Sequence, residues 1–346
     1  MINYQLLGKT GLRVADICLG TMTFGEDWGW GSSKDEARKI YDYYRDQGGN
    51  FIDTANIYTN GTSETLLGEF MAGHRNEVVL ATKYTNAPEG KNPNAGGNQR
   101  KSMMEAVEAS LKRLKTDYID LYWMHIWDQV TPAEEVMRAF DDLVRQGKVL
   151  YIGISDAPAW WVAKANTLAE FRGWTSFAGL QIEYSLAERT PERELLPMAR
   201  EFGMTITAWS PLAGGVLTGK YLDDAPKGQG GRMDGHGMDS FRKDKADEDR
   251  IARAVIAVGK RLGASPAQVA LAWLRHAEVP VIPIIGAKKL SQLEDNLASA
   301  DVEFEAQDLQ ELDEASAIKL GFPHEFYAMP MVRSMIYGGL GDRIRS

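Results

Sequence analysis

Residues 118–155 have the sequence YIDLYWMHIWDQVTPAEEVMRAFDDLVRQGKVLYIGIS, in which two apolar runs flank a segment with helical spacing. The first run ends at His125 and the second at Ser155. Between them, apolar residues recur on one face of a helix at Val136, Phe140 and Leu143. This order is typical of a strand, a crossover helix and a second strand parallel to the first.

The same unit recurs along the chain. Eight short apolar runs end at Gly20, Thr54, Lys83, His125, Ser155, Tyr184, Ser210 and Gly286. Most are separated by roughly 30 residues with a helical pattern, which is the period of a strand–helix unit. Parallel strands need helical crossovers and covered faces. The sequence therefore predicts an α/β fold, a (β/α)8 TIM barrel, with residues 1–346 forming a single domain.

The length of 346 residues is also compatible with two domains or with an open doubly wound sheet. A doubly wound sheet that binds a dinucleotide has a G-x-G-x-x-G turn after its first strand. Residues 19–25, at the end of the first run, have the sequence LGTMTFG instead. This difference favours the barrel.

Three segments extend the predicted barrel. Residues 4–7 and 12–14 flank Gly8–Gly11 and predict an N-terminal β-hairpin that could plug the barrel. The stretch from Asp223 to Asp249 is rich in glycine and charge and predicts a long loop before the eighth strand, either a lid or an inert insertion. The C-terminal tail from His324 fits no barrel element, and either closes over the cleft or mediates oligomerisation.

The composition is that of an ordinary soluble globular chain, with 44% hydrophobic and 25% charged residues and a mean hydropathy of −0.32. No apolar run reaches the roughly 18 residues that a membrane-spanning helix needs, and the first residues lack the pattern of a signal peptide. The single cysteine, Cys18, excludes an internal disulfide. We therefore expect a cytoplasmic protein without a membrane partner.

The net charge of −9 comes from 39 basic and 48 acidic residues and disfavours nucleic acid as a partner. The oligomeric state stays open. Metal binding is not expected, because four histidines have no ligand spacing with a cysteine or with one another: His74, His236, His276 and His324.

Four residues at the ends of predicted strands form an acid–base set: Asp53, Tyr58, Lys83 and His125. Such residues meet at one end of a parallel barrel, where active sites lie. A nearby ammonium lowers the pKa of a tyrosine, so Lys83 is expected to activate Tyr58, while Asp53 keeps Lys83 charged. His125 could orient a substrate oxygen. Taken singly, each residue also fits a surface ion pair or a structural role.

Six sequence blocks, in order, resemble the aldo-keto reductase superfamily. The blocks are FIDTANIYTNGTSETLLG (51–68), LATK (80–83), LKRLKTDYIDLYWMH (111–125), GKVLYIGIS (147–155), AWSPLAGGVLTGKY (208–221) and IPIIGAKKLSQLEDNL (282–297). The resemblance implies a (β/α)8 barrel that uses a nicotinamide cofactor to reduce aldehydes and ketones, with Asp53, Tyr58, Lys83 and His125 as its catalytic tetrad.

The resemblance also implies cofactor contacts at the nicotinamide end. Gly20, Thr21 and Met22 would lie under the nicotinamide ribose, beside Asp53. Ser155 and Gln181 would hydrogen-bond the carboxamide. Two further contacts are Asp156, where many members have asparagine, and Trp209, which would stack on the nicotinamide ring.

For the pyrophosphate, the glycine-rich segment after the seventh strand offers backbone N–H groups and a lysine. Its candidate residues are Ser210, Pro211, Leu212, Gly214, Gly219 and Lys220. The segment nearly matches a P-loop, but Tyr221 replaces the Ser or Thr that would bind Mg²⁺, so nucleotide hydrolysis is not expected.

At the adenosine end, the resemblance points to Gly286, Lys288, Gln292, Asp295 and Asn296. A 2′-phosphate needs a cation, so Lys288 predicts NADP(H) over NAD(H). The segment has no arginine, which leaves use of NAD(H) open.

Aromatic residues after strand ends one, three and four predict an apolar substrate mouth. They are Trp28, Trp30, Tyr84 and Trp127, and Asp128 is a candidate anchor for a substrate hydroxyl. Ordinary loop packing is the alternative interpretation of all five residues.

The sequence therefore predicts an NADP(H)-dependent oxidoreductase that reduces a small-molecule aldehyde or ketone, with Tyr58 as general acid and base. An alternative is a cofactor-binding redox sensor similar to a regulatory channel subunit. A hydrolase using Asp53 and Asp156 would leave Lys83 unexplained. The physiological substrate and the preferred direction of reaction stay open.

Overall fold

The computed structural model describes residues 2–88, 90–223 and 244–344. Eight parallel strands close into a barrel, and each is hydrogen-bonded to its neighbours in chain order. The barrel strands are β3 (Cys18–Gly20), β4 (Phe51–Asp53), β5 (Val79–Tyr84), β6 (Ile119–Met124), β7 (Val149–Ser155), β8 (Gly179–Glu183), β9 (Thr205–Trp209) and β10 (Val281–Gly286). The predicted (β/α)8 barrel is confirmed.

Helices surround the barrel in the order that the hydrophobic periodicity predicts. They are α1 (Lys34–Asp46), α2 (Thr62–Phe70), α3 (Arg100–Leu114), α4 (Ala133–Arg145), α5 (Ala159–Arg172), α6 (Leu195–Phe202), α7 (Lys245–Leu262), α8 (Pro266–Trp273), α9 (Leu290–Leu297) and α10 (Ala306–Ser316). In α4, the face formed by Val136, Phe140 and Leu143 is buried. Two short helices, α11 (His324–Ala328) and α12 (Pro330–Ile336), follow in the tail.

The N-terminal hairpin pairs β1 (Tyr4–Leu6) with β2 (Arg13–Ala15) in antiparallel register. Its turn approaches the start of β9, where the Gly8 N–H donates to Thr205 Oγ1 at 2.7 Å. Gly8 has a φ of +56°, and a Cβ on it would lie 2.3 Å from the carbonyl oxygen of Ala178. A glycine is therefore required for the hairpin to close the amino end of the barrel.

The barrel interior is filled by large side chains from neighbouring strands. Trp123 is fully buried, and a Cβ on Gly153 of the next strand would lie 2.2 Å from its ring. Cys18, on β3, is also fully buried, and burial raises the pKa of its thiol well above the ordinary value. This packed interior leaves the carboxyl end of the barrel as the place for a site.

The predicted loop from Asp223 to Asp249 ends earlier than expected, because residues 245–249 already belong to α7, which Asp244 caps through its side chain. Residues 224–243 lie outside the described part of the chain. The choice between a lid and an inert insertion concerns these residues and stays a prediction. None of the described helices is long and apolar enough to cross a membrane.

Candidate active site

A cavity of about 320 Å³ opens at the carboxyl end of the barrel. The residues predicted for a site that line it are Gly20, Thr21, Met22, Asp53, Tyr58, His125, Ser155, Asp156, Gln181, Trp209, Ser210, Gly214 and Gly286. They come from strand ends and from the loops that follow them. The barrel thus brings together side chains that are up to about 270 residues apart in the sequence.

Lys83 is completely buried and contacts two residues of the cavity wall, Asp53 and Tyr58. Its ammonium forms a short ion pair with Asp53 Oδ2, donates to the Thr54 carbonyl oxygen at 2.8 Å and donates to the Tyr58 hydroxyl at 3.1 Å. The second carboxylate oxygen of Asp53 accepts from Gln181 Nε2 at 3.0 Å. Burial alone would lower the pKa of Lys83, but the Asp53 carboxylate and the Tyr58 hydroxyl together outweigh burial and raise it.

Tyr58 is presented by a short 3₁₀ turn, Tyr58–Gly61, in which Thr59, Asn60 and Gly61 all have left-handed backbone. Thr59 has a φ of 45°, and its hydroxyl donates to the carbonyl oxygen of Phe24 at 2.7 Å and accepts from Ser63 N–H at 3.1 Å. These bonds hold a backbone conformation that is costly for threonine. The turn therefore fixes the phenol in the cavity wall beside the lysine.

The electrostatic effect on Tyr58 differs from the sequence-based expectation. Burial raises the pKa of Tyr58 above its ordinary value, and the nearby Lys83 ammonium offsets burial only in part. The expectation of a lowered pKa was wrong because it considered the charge and not the desolvation of the phenolate. Tyr58 is therefore a neutral phenol that has a proton to donate.

His125 is neutral and has a defined tautomer. Burial, together with the Lys83 ammonium, holds the pKa of His125 well below its usual range. Its Nδ1 atom accepts a hydrogen bond from Asn86 Nδ2 at 3.1 Å, so the hydrogen of the ring lies on Nε2. The ring is edge-on to Tyr58, with centroids 6.0 Å apart. Both side chains can therefore present a hydrogen to one oxygen atom.

Beyond the tetrad, Asp156 joins β7 to β9. Asp156 has a left-handed φ of 44°, and its Oδ1 atom accepts from the indole N–H of Trp209 at 3.0 Å. Burial raises the pKa of Asp156 to about 6, and the carboxylate of Glu183 acts in the same direction. This hydrogen bond sets the orientation of the Trp209 ring at the cavity wall.

The glycine-rich segment after β9 forms tight turns in which Ser210, Ala213, Gly214 and Gly215 all have positive φ. A Cβ on Gly215 would lie 2.5 Å from the ammonium of Lys220. Only a glycine allows the cation to rest against this backbone. Of this segment, Ser210, Ala213 and Gly214 line the cavity, and Lys220 lies outside its lining.

The aldo/keto reductase family model matches residues 16–317. The chain belongs to the aldo/keto reductase family. A norsolorinic acid reductase of Emericella nidulans is 40% identical over 328 residues. The matched region covers 91% of this chain and 82% of that reductase. An aryl-alcohol dehydrogenase [NADP(+)] of Phanerodontia chrysosporium is 37% identical, and the matched region covers 92% of this chain and 87% of that dehydrogenase. The predicted family is confirmed, and the protein is an oxidoreductase.

Three observations of this aldo/keto reductase fit a nicotinamide dinucleotide, the type of cofactor that the family uses. Ser155 Oγ is buried and lines the cavity, and no hydrogen-bond partner for it exists among the described residues. Trp209 stands in the same wall, and Lys220 rests on the glycine turn. An unpaired hydroxyl, an aromatic ring and a cation are groups that a carboxamide, a pyridine ring and a pyrophosphate need.

Not every predicted cofactor residue reaches the cavity of the reductase. Gly219 is buried against Ile256 and forms a left-handed turn, so its role is conformational. Both carboxylate oxygens of Asp295 accept hydrogen bonds from α8, from Ser265 Oγ and Gln268 Nε2. The prediction of a cofactor contact at Asp295 is thus not supported, because that side chain joins α9 to α8. Pro211 and Leu212 lie in the turn behind Ser210, outside the cavity lining.

Lys288 lines a separate, open cavity of about 510 Å³ at the start of α9, and Gln292 lies outside its lining. Gln292 Oε1 accepts from the backbone N–H of Lys288 at 2.8 Å. The ammonium of Lys288 lies 4.9 Å from the centre of the Trp30 ring. Asn296 is buried one turn further along the helix.

The four aromatic residues predicted for the substrate mouth do not form one cluster. Trp28 packs edge-on to Tyr58 with centroids 6.5 Å apart, and against Trp30 at 5.8 Å. Trp127 packs against Trp160 and Trp161 of α5 and does not line the cavity. Neither Trp28 nor Trp30 lines the cavity, but Trp28 packs against Tyr58, which does.

Tyr84 does not lie at a substrate mouth, and the sequence-based prediction for this residue was wrong. It is completely buried between the barrel and the helices, and its ring stacks on Tyr122 at 5.4 Å. Strand β5 ends at Tyr84 and not at Lys83. Because side chains alternate along a strand, Tyr84 faces away from the interior that Lys83 enters.

Asp128, the candidate anchor for a substrate hydroxyl, is occupied within its own loop. Its two oxygens accept from Asn98 N–H at 2.8 Å and from Thr131 N–H and Oγ1 at 2.9 and 2.6 Å. Its role is to brace the loop after β6.

Sequence reasoning missed two sets of site residues. Asn86 lies three residues after Lys83, in the loop that follows the same strand, and this position is a signal that could have found it. Acidic residues also line the cavity, at Glu183, Glu188 and Glu248. Glu248 lies in the first turn of α7, far from the other site residues in the sequence, and no local motif marks it. The described residues contain no cluster of side chains placed to bind a metal ion.

Proposed function

We propose that the protein is an NADP(H)-dependent aldo-keto reductase that interconverts carbonyl compounds and alcohols with Tyr58 as the general acid and base. The observation that carries the proposal is the contact of 3.1 Å between the buried Lys83 ammonium and the Tyr58 hydroxyl, in the wall of the cavity. A neutral phenol beside a buried cation can give up its proton and be stabilised as a phenolate.

A nicotinamide cofactor, when bound, would supply the hydride that reduces the carbonyl carbon. Tyr58 donates its proton to the carbonyl oxygen as negative charge develops there. Lys83 stabilises the phenolate that remains, and Asp53 keeps Lys83 protonated. The Nε2–H group of His125 donates a hydrogen bond to the same oxygen and so fixes the position of that oxygen.

Residues of the cavity wall, together with Lys220 and Lys288 beyond it, would hold the cofactor. Ser155 and Gln181 would bind the carboxamide, and Trp209 would lie against the nicotinamide ring. Gly214 and Lys220 would bind the pyrophosphate. Lys288 would meet the 2′-phosphate, which supports NADP(H) over NAD(H).

We infer that the substrates are aromatic carbonyl compounds and the corresponding alcohols. Trp28 stands beside Tyr58, and Trp30 stands next to it, so a flat apolar ring entering the cavity would have aromatic partners. Relatives named norsolorinic acid reductase and aryl-alcohol dehydrogenase support this substrate class.

The test is a panel of aromatic and aliphatic aldehydes, ketones and alcohols, each assayed with NADPH or NADP⁺ by absorbance at the reduced-nicotinamide band. We expect turnover with the aromatic members at higher kcat/KM than with aliphatic compounds of similar polarity. Turnover restricted to aliphatic compounds would overturn the substrate class. Tight cofactor retention without turnover of any compound would overturn the enzymatic proposal in favour of a redox sensor.

A further inference from the structure

The C-terminal tail carries an unusual concentration of exposed apolar side chains. Of the eighteen large hydrophobic residues that are exposed in the described part of the chain, eleven lie between Leu320 and Ile344, and we call these eleven side chains the tail surface. Phe322 is 85% exposed, Met331 69% and Met335 65%. Monomeric proteins rarely expose contiguous apolar patches larger than a few hundred Å².

The tail is attached to the barrel mainly at its base. Arg193 donates to the Lys319 carbonyl oxygen at 2.7 Å, and His324 Nε2 lies 3.2 Å from a carboxylate oxygen of Glu194. Further along, α11 has no buried residue and α12 buries only Val332. In the described part of the chain, the tail surface is therefore not covered by its own barrel.

The tail also differs in charge from the rest of the molecule. Residues 317–346 contain four lysines and arginines and two acidic residues, a net charge of +2. The remaining 316 residues carry a net charge of −11. A second copy of the chain thus presents an acidic body that is complementary to a basic, apolar tail.

The area of the tail surface is sufficient for a stable interface. A large aromatic side chain presents roughly 150–250 Å², and the eleven side chains are between 37% and 85% exposed, so the surface amounts to roughly 1,000 Å². A standard specific interface buries about 800 Å² on each partner. A membrane is a poorer match, because α11 and α12 have only five and seven residues and do not form a long amphipathic helix with a basic face.

A groove at the base of the tail offers a place for the partner's side chains. This groove, of about 440 Å³, is lined by apolar residues that include Leu196, Trp273 and Val279, and its acidic residues Glu278 and Asp313 are paired with Arg200 and Arg189. Leu320 and His324 at the base of the tail form part of the same wall. In a twofold dimer, a contact between the tail of one copy and this groove of the other would be made twice.

We propose that the tail surface is an interface with a second copy of this chain, in which each tail packs across the neighbouring barrel. The interface is separate from the chemistry of the cavity, so the proposal does not depend on the proposed function. It assigns the tail to oligomerisation, one of the two roles that the sequence leaves open.

Sedimentation velocity of the full chain, over a range of protein concentrations, tests the proposal. We expect a dimer for the wild-type protein at micromolar concentration. Met335→Asp and Ile336→Asp each place a charge on the tail surface and should weaken dimerisation at least tenfold. Phe171→Asp is the matched control, because Phe171 is 85% exposed on α5, away from the tail, and this variant should dimerise like the wild type.

The Arg333→Glu variant tests whether dimerisation depends on the positive charge of the tail. It should weaken the dimer at low salt and by a smaller factor at high salt, because salt screens the attraction between the tail and the acidic body. Circular dichroism checks that all variants are folded. A wild-type monomer at tens of micromolar, or tail variants that dimerise like Phe171→Asp, would overturn the proposal. A monomer that binds vesicles of anionic phospholipid would assign the tail surface to a membrane instead.

Discussion

Asn86 Nδ2 lies 3.1 Å from Nδ1 of His125, and the backbone of Asn86 is in turn held by Asn56, whose Nδ2 atom donates to the Asn86 carbonyl oxygen at 2.9 Å. An amide NH₂ group can only donate, so this contact selects the tautomer of His125 that carries its hydrogen on Nε2. The orientation of His125, for which we propose a catalytic role, thus depends on a residue outside the proposed tetrad.

Replacing Asn86 with Ala should lower kcat/KM about tenfold, because the loss of one hydrogen bond of roughly 1.4 kcal/mol releases the ring and its tautomer. Asn86→Asp should lower it further and raise the pKa of His125, because a carboxylate favours a hydrogen on Nδ1. Nitrogen NMR of the imidazole measures the tautomer and the pKa directly. Asn94→Ala, in the same loop, is the control and should behave like the wild type; unchanged imidazole signals in Asn86→Ala would refute the positioning role.

Tyr58→Phe should retain cofactor binding and lose about 10²- to 10⁴-fold in kcat, the usual contribution of a positioned acid. The substitution removes one hydroxyl and leaves the ring in contact with Trp28 and His125. Stopped-flow measurement of hydride transfer and fluorescence titration of the cofactor separate the two effects. Tyr43→Phe, on α1, controls for removal of a hydroxyl away from the cavity. A fully active Tyr58→Phe enzyme would rule out the acid assignment.

Lys83→Met should destabilise the fold by about 3–5 kcal/mol, because it leaves the Asp53 carboxylate buried without its cation. The double variant Asp53→Asn with Lys83→Met should recover part of this loss, since the remaining groups are neutral. Urea unfolding followed by circular dichroism gives the three free energies of unfolding. A double variant no more stable than Lys83→Met alone would contradict the ion-pair explanation.

The fluorescence of Trp209 should titrate near pH 6, because the Asp156 oxygen that accepts its N–H becomes a weaker acceptor when protonated. The folded-state pKa lies above the roughly 3.9 of an unfolded aspartate, so the folded protein binds this proton more tightly. The contribution of Asp156 to stability is therefore present below pH 4 and is lost as the pH rises to about 6.

Asp156→Asn should abolish both effects, because the amide does not titrate. Asp128→Asn is the control, because Asp128 has no contact with Trp209 and is bonded within its own loop. The measurements are tryptophan emission and urea unfolding between pH 4 and pH 7. An unchanged emission titration in Asp156→Asn would show that another group is responsible.

Lys288→Ala should weaken the binding of NADPH more than that of NADH, by about tenfold in the ratio of the two Kd values, because only NADPH carries the 2′-phosphate. Lys164→Ala, an exposed lysine on α5, should leave the ratio unchanged. Fluorescence titration of each variant with both cofactors gives the four constants. Equal losses for the two cofactors would place Lys288 away from the 2′-phosphate.

The sequence was sufficient for the barrel, because eight apolar runs at a regular spacing allow few other arrangements. It was also sufficient to nominate the side chains that meet around Lys83, since they follow strand ends. The error at Tyr84 arises from a strand that is one residue longer than expected, which reverses the side-chain direction. Asp295 and Asp128 could not be assigned from sequence, because their partners lie on α8 and in the loop near Asn98.

The contacts that sequence reasoning missed are all tertiary. Asn86 reaches His125 across two strands, and Glu248 enters the cavity wall from a helix that follows the whole of β9 and its loop. The pKa of Tyr58 was expected to fall because Lys83 can be recognised as its partner from the sequence. The burial of Tyr58, which raises the pKa, can be seen only in the fold.

The complete burial of Cys18 makes this chain convenient for labelling with thiol-reactive dyes. The native sulfur sits inside the barrel with a raised pKa, so it offers neither access nor thiolate to a maleimide. A cysteine introduced at an exposed position would therefore be the sole reactive thiol, with no need to remove the native one. A dye placed in this way on the tail would report distances between copies by energy transfer.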